Sequence, residues 1–135
     1  MAVRKSIIQS TRELPASSKW DRVAVNPALV ISDEVDVYVD RSTIIRSGNL
    51  VTMWDLLDFH TKQTVAGDWY FSSKTHSEYD CKNKQVRELK RSTYAGMMGD
   101  GKVIYSNSDT TKWEPITPGT FGETLWKIAC GKKFG

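Results

Sequence analysis

The chain has 135 residues, 39% of them hydrophobic and 26% charged, with a net charge of +3. That length suits one hydrophobic core rather than two, and the composition excludes a disordered tail. The longest apolar runs are a few residues, against the roughly 20 that a membrane-spanning helix needs, and so mild a charge excess is not by itself a nucleic-acid signature.

In chain order, Arg4 and Lys5 are followed only by Ile7 and Ile8, short of the apolar stretch and small-residue cleavage site of a signal peptide. Residues 1–19 are expected to be a flexible N-terminal segment and residues 20–135 a single domain. From Trp20 onward the apolar pattern has mostly period two, which means strands. In "VDVYVD", Val35, Val37 and Val39 alternate with Asp36, Tyr38 and Asp40, giving one buried and one wetter face. Asp33, Glu34, Asp36 and Asp40 lack the glycine and terminal glutamate of a calcium loop and read as solvated edges and turns. Ser47, Gly48 and Asn49 make a turn. "NLVTMWDLLDF" then puts Val51, Met53, Leu57 and Phe59 on one face and Leu50, Trp54 and Leu56 on the other, as in a central strand covered on both sides.

In "WYFSSKTHSEYDC", Trp69, Phe71, Tyr79 and Cys81 share one parity and Lys74, His76 and Glu78 the other, so a continuous strand aims Cys81 at the apolar side. A bulge near Ser72 and Ser73 would break that count. "KNKQVRELKRSTY" is ambiguous: Val86 and Leu89 fit a helix as well as an irregular strand, and Asn83 suits the positive φ of a hairpin turn. "GMMGDGKV" matches a P-loop from Gly96 to Lys102, but Val103 stands where a hydroxyl must hold magnesium and a strand follows, so it reads as a hairpin turn before "VIYSNS". The last element is a helix. Thr120 and Glu123 have capping-box spacing, Phe121, Leu125, Ile128 and Ala129 form an apolar stripe, and Gly131 ends it. Most of the five tryptophans are expected in the core. The fold class is α+β: an antiparallel sheet of about six strands with the C-terminal helix packed on it.

Cys81 and Cys130 lie too far apart in sequence for the close pairs of a zinc site, and His60 and His76 cluster with neither. Nothing places a base beside a cysteine nucleophile, since His76 projects to the face opposite Cys81. No catalytic residue, metal ligand or cofactor is expected; a deep pocket holding a group of shifted pKa would revive an enzyme reading. What remains is a disulfide, which needs only that sheet face and helix end meet, or two separate buried thiols. Lys82, Lys84, Arg87, Lys90 and Arg91 fall within ten residues holding one acid, Glu88, and Lys132 and Lys133 add charge near Cys130. A solvated surface is the commoner role of such a run; the functional one is a partner-binding face.

The order and spacing of "VDVYVDRSTI", "YDCKNKQVRELKRSTY" and "WEPITPGTFGETLWKIACG" resemble the bacterial surface-adhesin protein E family, from about Trp20 to Gly131. The specific parts are Tyr38 to Asp40 followed by Ser42 and Ile44, Asp80 and Cys81 with Arg87 downstream, Tyr94, and the Pro118–Gly119 entry to a helix ending in Cys130. The resemblance implies a compact antiparallel sheet carrying the helix and a disulfide joining Cys81 to Cys130. It also implies export to the periplasm or outer-membrane surface, with the cytoplasm as the alternative, and a non-enzymatic domain that binds extracellular-matrix, serum or envelope proteins. A nucleic-acid or polyanion binder is the second reading. Lys82, Lys84, Arg87, Lys90 and Arg91 are the expected contact site.

Overall fold

The computed structural model describes residues 19–23 and 35–131. The flexible segment read over residues 1–19 therefore lies outside the described residues except for Lys19, and so do Asp33, Glu34, Lys132 and Lys133. The described chain forms β1 (Trp20–Val23), β2 (Val35–Ser47), β3 (Leu50–Val65), β4 (Asp68–Asp80), β5 (Gln85–Tyr94), β6 (Val103–Asn107), the two-residue β7 (Glu114–Pro115) and one helix, α1 (Phe121–Cys130). Strands β1 to β6 follow one another across the sheet in chain order, each antiparallel to the last, and β7 pairs with β5.

One face of this sheet, the front, carries α1. Val37, Val39, Val51, Met53 and Tyr79 are buried there with Leu125, Trp126 and Ala129 of the helix. Their alternation in sequence is the period of the pleat, so a single register places all of them under α1. The helix starts as its spacing predicts: Thr120 Oγ1 accepts the Glu123 amide at 3.3 Å. The Glu123 carboxylate in turn accepts the Gly119 amide at 3.0 Å, one residue earlier than in the usual reciprocal cap.

Among the described residues, one end of the back face is covered. The connection between β5 and β6 includes a single 3-10 turn, Met97–Gly99, that folds across β4 to β3. Met98 donates its amide to Asp58 Oδ1 at 2.8 Å, Gly99 donates to Ser72 Oγ at 2.8 Å, and Leu56 is fully buried. Gly99 has φ +77, which favours glycine whatever the space around it, and an added Cβ would also push aside the end of the Lys74 side chain. The P-loop look-alike is thus a hairpin connection, as read, and a lid over Leu56 besides.

Two details settle what the pattern left open and two depart from it. The ambiguous segment is strand β5 with Leu89 as an extra residue, Ser77 pairing with Glu88 and His76 with Lys90. Strand β4 itself is regular, and the irregularity near Ser72 belongs to β3, between Asp58 and Gln63. Positive φ in the β4–β5 turn is adopted by Lys84, not Asn83. Among the tryptophans only Trp126 is buried, and Trp69 is 58% exposed because its end of the sheet runs past the helix.

Candidate functional site

Five cations close in sequence do not make one face in space. Lys84, in the turn, reaches toward α1, with Nζ 2.9 Å from Glu123 Oε2 and 5.3 Å from the centre of the Trp126 ring. Beyond the turn, the register decides. Arg87 sits opposite Glu78 and Lys90 opposite His76, both on the back face, whereas the extra residue Leu89 returns Arg91 to the front, opposite Thr75. Arg87 donates Nε to Glu78 Oε1 at 2.8 Å and stacks its guanidinium 4.4 Å from the Trp113 ring centre. Arg91 is paired with Glu88, through Nε at 3.1 Å and Nη2. Lys82 and Lys90 are exposed.

The back face therefore combines cations with aromatic rings. Trp54 and His76, partners across β3 and β4, stack with centroids 4.7 Å apart and planes 3° from parallel. Lys90 is next in that row and Arg87, Glu78 and Trp113 flank it. Burial lowers the pKa of His76, so its ring is neutral at pH 7, and with Arg87 paired to Glu78 the uncompensated positive charge of this patch comes from Lys90.

The turn at the sheet end is built on Asp80, whose carboxylate accepts the amides of Lys82 at 3.0 Å and Asn83 at 2.9 Å and the Asn83 side chain at 2.9 Å. Those donors hold its pKa below the ordinary value, the Asn83 amide foremost. The turn aims Cys81 at the helix end, where it forms the disulfide with Cys130, Cα atoms 5.7 Å apart. Arg46 Nη2 donates to the Cys130 carbonyl at 2.8 Å, satisfying an end-of-helix oxygen.

On the front, beside the first turn of α1, lies a cavity of about 420 Å³ between the helix and strands β3 to β5. Its polar floor is Asp55, 5% exposed, whose pKa burial pushes up to about 7, with Arg91 opposing and Glu88 adding to the rise. Sequence pattern did carry a signal for it: in "VTMWD" Asp55 shares the parity of Val51 and Met53, so an acid stood at a core position. Asp40, read as solvated, is also buried, and accepts from the Lys19 amide at 3.2 Å and the Ser42 amide at 3.0 Å. Asp36 does stay near solvent, paired with Arg22 at 2.8 Å and His60 at 2.9 Å. Among the described residues no three acidic, histidine or cysteine side chains gather as a metal site, and none of their helices is long and apolar enough to cross a membrane.

The surface-adhesin protein E family model matches residues 20–131. Solved structures of Haemophilus influenzae protein E share the fold: one crystal form superposes with a TM-score of 0.59 at 15% identity, covering 80% of this chain and 95% of that one. A second covers 86% and 96% at a TM-score of 0.58 and 14% identity. The protein from non-typeable Haemophilus influenzae gives 0.56 at 14% identity, covering 87% and 90%. A comparison with curated protein sequences finds no match.

Proposed function

Because this chain belongs to the surface-adhesin protein E family, we propose that it is a non-enzymatic bacterial domain, exported to the cell envelope, that binds extracellular-matrix, serum or envelope proteins through the back face of its sheet. The observation that carries the reading is the patch in which Lys90 and Arg87 border the stacked Trp54 and His76 rings. Aromatic rings and arginine are the side chains that most often dominate protein–protein affinity, and exposed lysines at the rim guide an acidic partner in. Lys82 extends the positive rim at the sheet end. Lys84 and Arg91 are placed in internal ion pairs with Glu123 and Glu88 and act on the fold rather than on a partner. That same pairing weighs against the nucleic-acid reading, since Lys84, Arg87 and Arg91 each already face a carboxylate, leaving little uncompensated charge to displace counterions from a polyanion.

The test is surface plasmon resonance of the immobilised domain against a panel of extracellular-matrix, serum and envelope proteins. At least one should bind, more weakly as salt rises above about 0.15 M, and the Lys82→Glu/Lys90→Glu variant should lose about tenfold in affinity. Binding that ignores both charge reversals would move the contact site elsewhere. Silence across the panel, with an oligonucleotide retained at low salt, would replace the function itself.

A further inference from the structure

Asp55 is a carboxylate with almost no access to bulk water, yet among the described residues it has neither a hydrogen-bond donor nor an ion-pair partner within bonding reach. Thr75 sits opposite it in the sheet, and its Oγ1 is buried without a partner as well. Both line the front cavity. Leaving a buried hydroxyl such as Thr75 Oγ1 without a partner is costly, as is ionising Asp55 where bulk water hardly reaches, and groups of this kind persist where a ligand completes them. The remaining walls are apolar: Leu57 and Val86 from the sheet, Phe121 and Leu125 from α1.

We propose that this cavity is a binding site for a small organic cation, a primary amine on an apolar body, with the ammonium group held between Asp55 and Thr75 and the body packed between α1 and the sheet. The proposal does not depend on the adhesin reading, since it concerns the opposite face. An ammonium group has three donors and no acceptor, which suits a floor that offers acceptor oxygens. Charge points the same way. Of the charged residues along the lining, Arg87 turns its guanidinium to the back face, where it pairs with Glu78, and Arg91 is paired with Glu88, so with Asp55 ionised the acids Asp55 and Glu114 tip the balance toward binding a cation. An anion would meet the Asp55 charge in a poorly hydrated site, and the described residues provide no set of ligands for a metal ion. The volume falls in the range of small-molecule sites, and the apolar walls supply affinity that the charge contact then makes specific.

Three probes of one shape separate the possibilities: benzylamine, benzyl alcohol and benzoate, titrated into labelled protein at about pH 8, where both Asp55 and the amine are charged. Benzylamine should produce saturable NMR shifts at Asp55, Thr75 and Leu125. Benzyl alcohol should bind the same place at least tenfold more weakly, and benzoate should leave it unperturbed. Asp55→Asn, close to isosteric, should abolish the preference for amine over alcohol, and Gly122→Leu, which adds a side chain to the first turn of α1 at the cavity wall, should weaken both. Equal binding of amine and alcohol to the unaltered protein overturns the proposal, as does retention of the preference by the Asp55 variant or the lack of any saturable shift at these residues. Where the Asp55 variant does not fold, the three-probe comparison on the unaltered protein decides alone.

Discussion

Two aspartates on neighbouring strands respond to pH in opposite senses. The Asp80 carboxylate is held ionised by the amides of Asn83 and Lys82, so its folded pKa lies below the ordinary 3.8; its contribution is complete above 3.8 and is lost as pH falls from there through the lower folded value. Replacing Asp80 by Ala strands those amides and loosens the turn that also presents the Asp80 carbonyl to Trp126 Nε1 at 3.0 Å. We expect a cost of about 1–3 kcal/mol, read as a lower urea midpoint at pH 7. Asp55 behaves the other way, because burial raises its folded pKa from 3.8 to about 7. Between those values the folded state keeps a proton that the unfolded chain releases, so stability declines as pH rises from about 4 to about 7 and levels off above. Asp55→Asn cannot ionise, and should be more stable than the unaltered protein at about pH 8, by on the order of 1 kcal/mol or more, with the gap closing near pH 4. Urea midpoints at both pH values measure it; a gap that stays constant would mean that Asp55 does not titrate in this range.

Strand β4 runs regularly down the middle of the sheet, while the extra residues fall on its neighbours β3 and β5 and further out on β2 and β6. That distribution explains how much of the fold was legible. Parity along the first halves of β2 and β3 and along β4 put Val37, Val39, Val51, Met53, Tyr79 and Cys81 on the buried side, because no insertion interrupts those stretches. The helix was legible through Thr120, Glu123 and its apolar stripe. The insertion at Leu89 was not, since an extra residue in a bulge carries no mark of its own in side-chain chemistry. Missing it merged Arg91 with Arg87 and Lys90 into one basic face, when the sheet separates them. Trp69 shows the limit of parity itself, which says which side a residue takes and nothing about whether a helix reaches that far. The β3–β4 hairpin exposes a weakness at element scale: its two-residue loop has φ +51 at Ala66 and +85 at Gly67. Asn-Gly suits such a loop better than Ala-Gly, because asparagine tolerates positive φ. Ala66→Asn should therefore raise stability by about 0.5 kcal/mol. At the start of α1, Thr120→Ala should lower it by about 1 kcal/mol through loss of the cap. Thermal midpoints shifting in these opposite directions would verify both.

For the molecule as a whole, α1 is a separable layer fastened at both ends. Its first turn is tied by Lys84 to Glu123, its middle by Trp126 to the Asp80 carbonyl, and its end by Arg46 on the Cys130 carbonyl and by the Cys81–Cys130 disulfide. All of these except the Arg46 contact converge on the turn following β4, so the sheet has one docking point for the helix. The bridge closes a loop across a sequence separation of 49, which restricts the unfolded chain by about 4 kcal/mol in the chain-entropy model. Since whole small domains are stable by only about 5–15 kcal/mol, a chain kept reduced loses much of its margin, and the fold suits an oxidising compartment. The weakening should also be local. With Cys81 and Cys130 both changed to Ala, amide exchange should accelerate most along Phe121–Cys130, while the centres of β3 and β4, hydrogen-bonded on both sides, keep the protection set by global unfolding. Phe121 and Leu125 would then leave the cavity wall part of the time, so benzylamine binding should fall, whereas partner binding through Lys90 and Arg87 on the far face should persist. Hydrogen exchange on the double variant, run beside both binding assays, tests this division of labour. Uniform acceleration across sheet and helix would show instead that α1 and the sheet unfold as one unit, and equal loss of both binding activities would tie the two faces together.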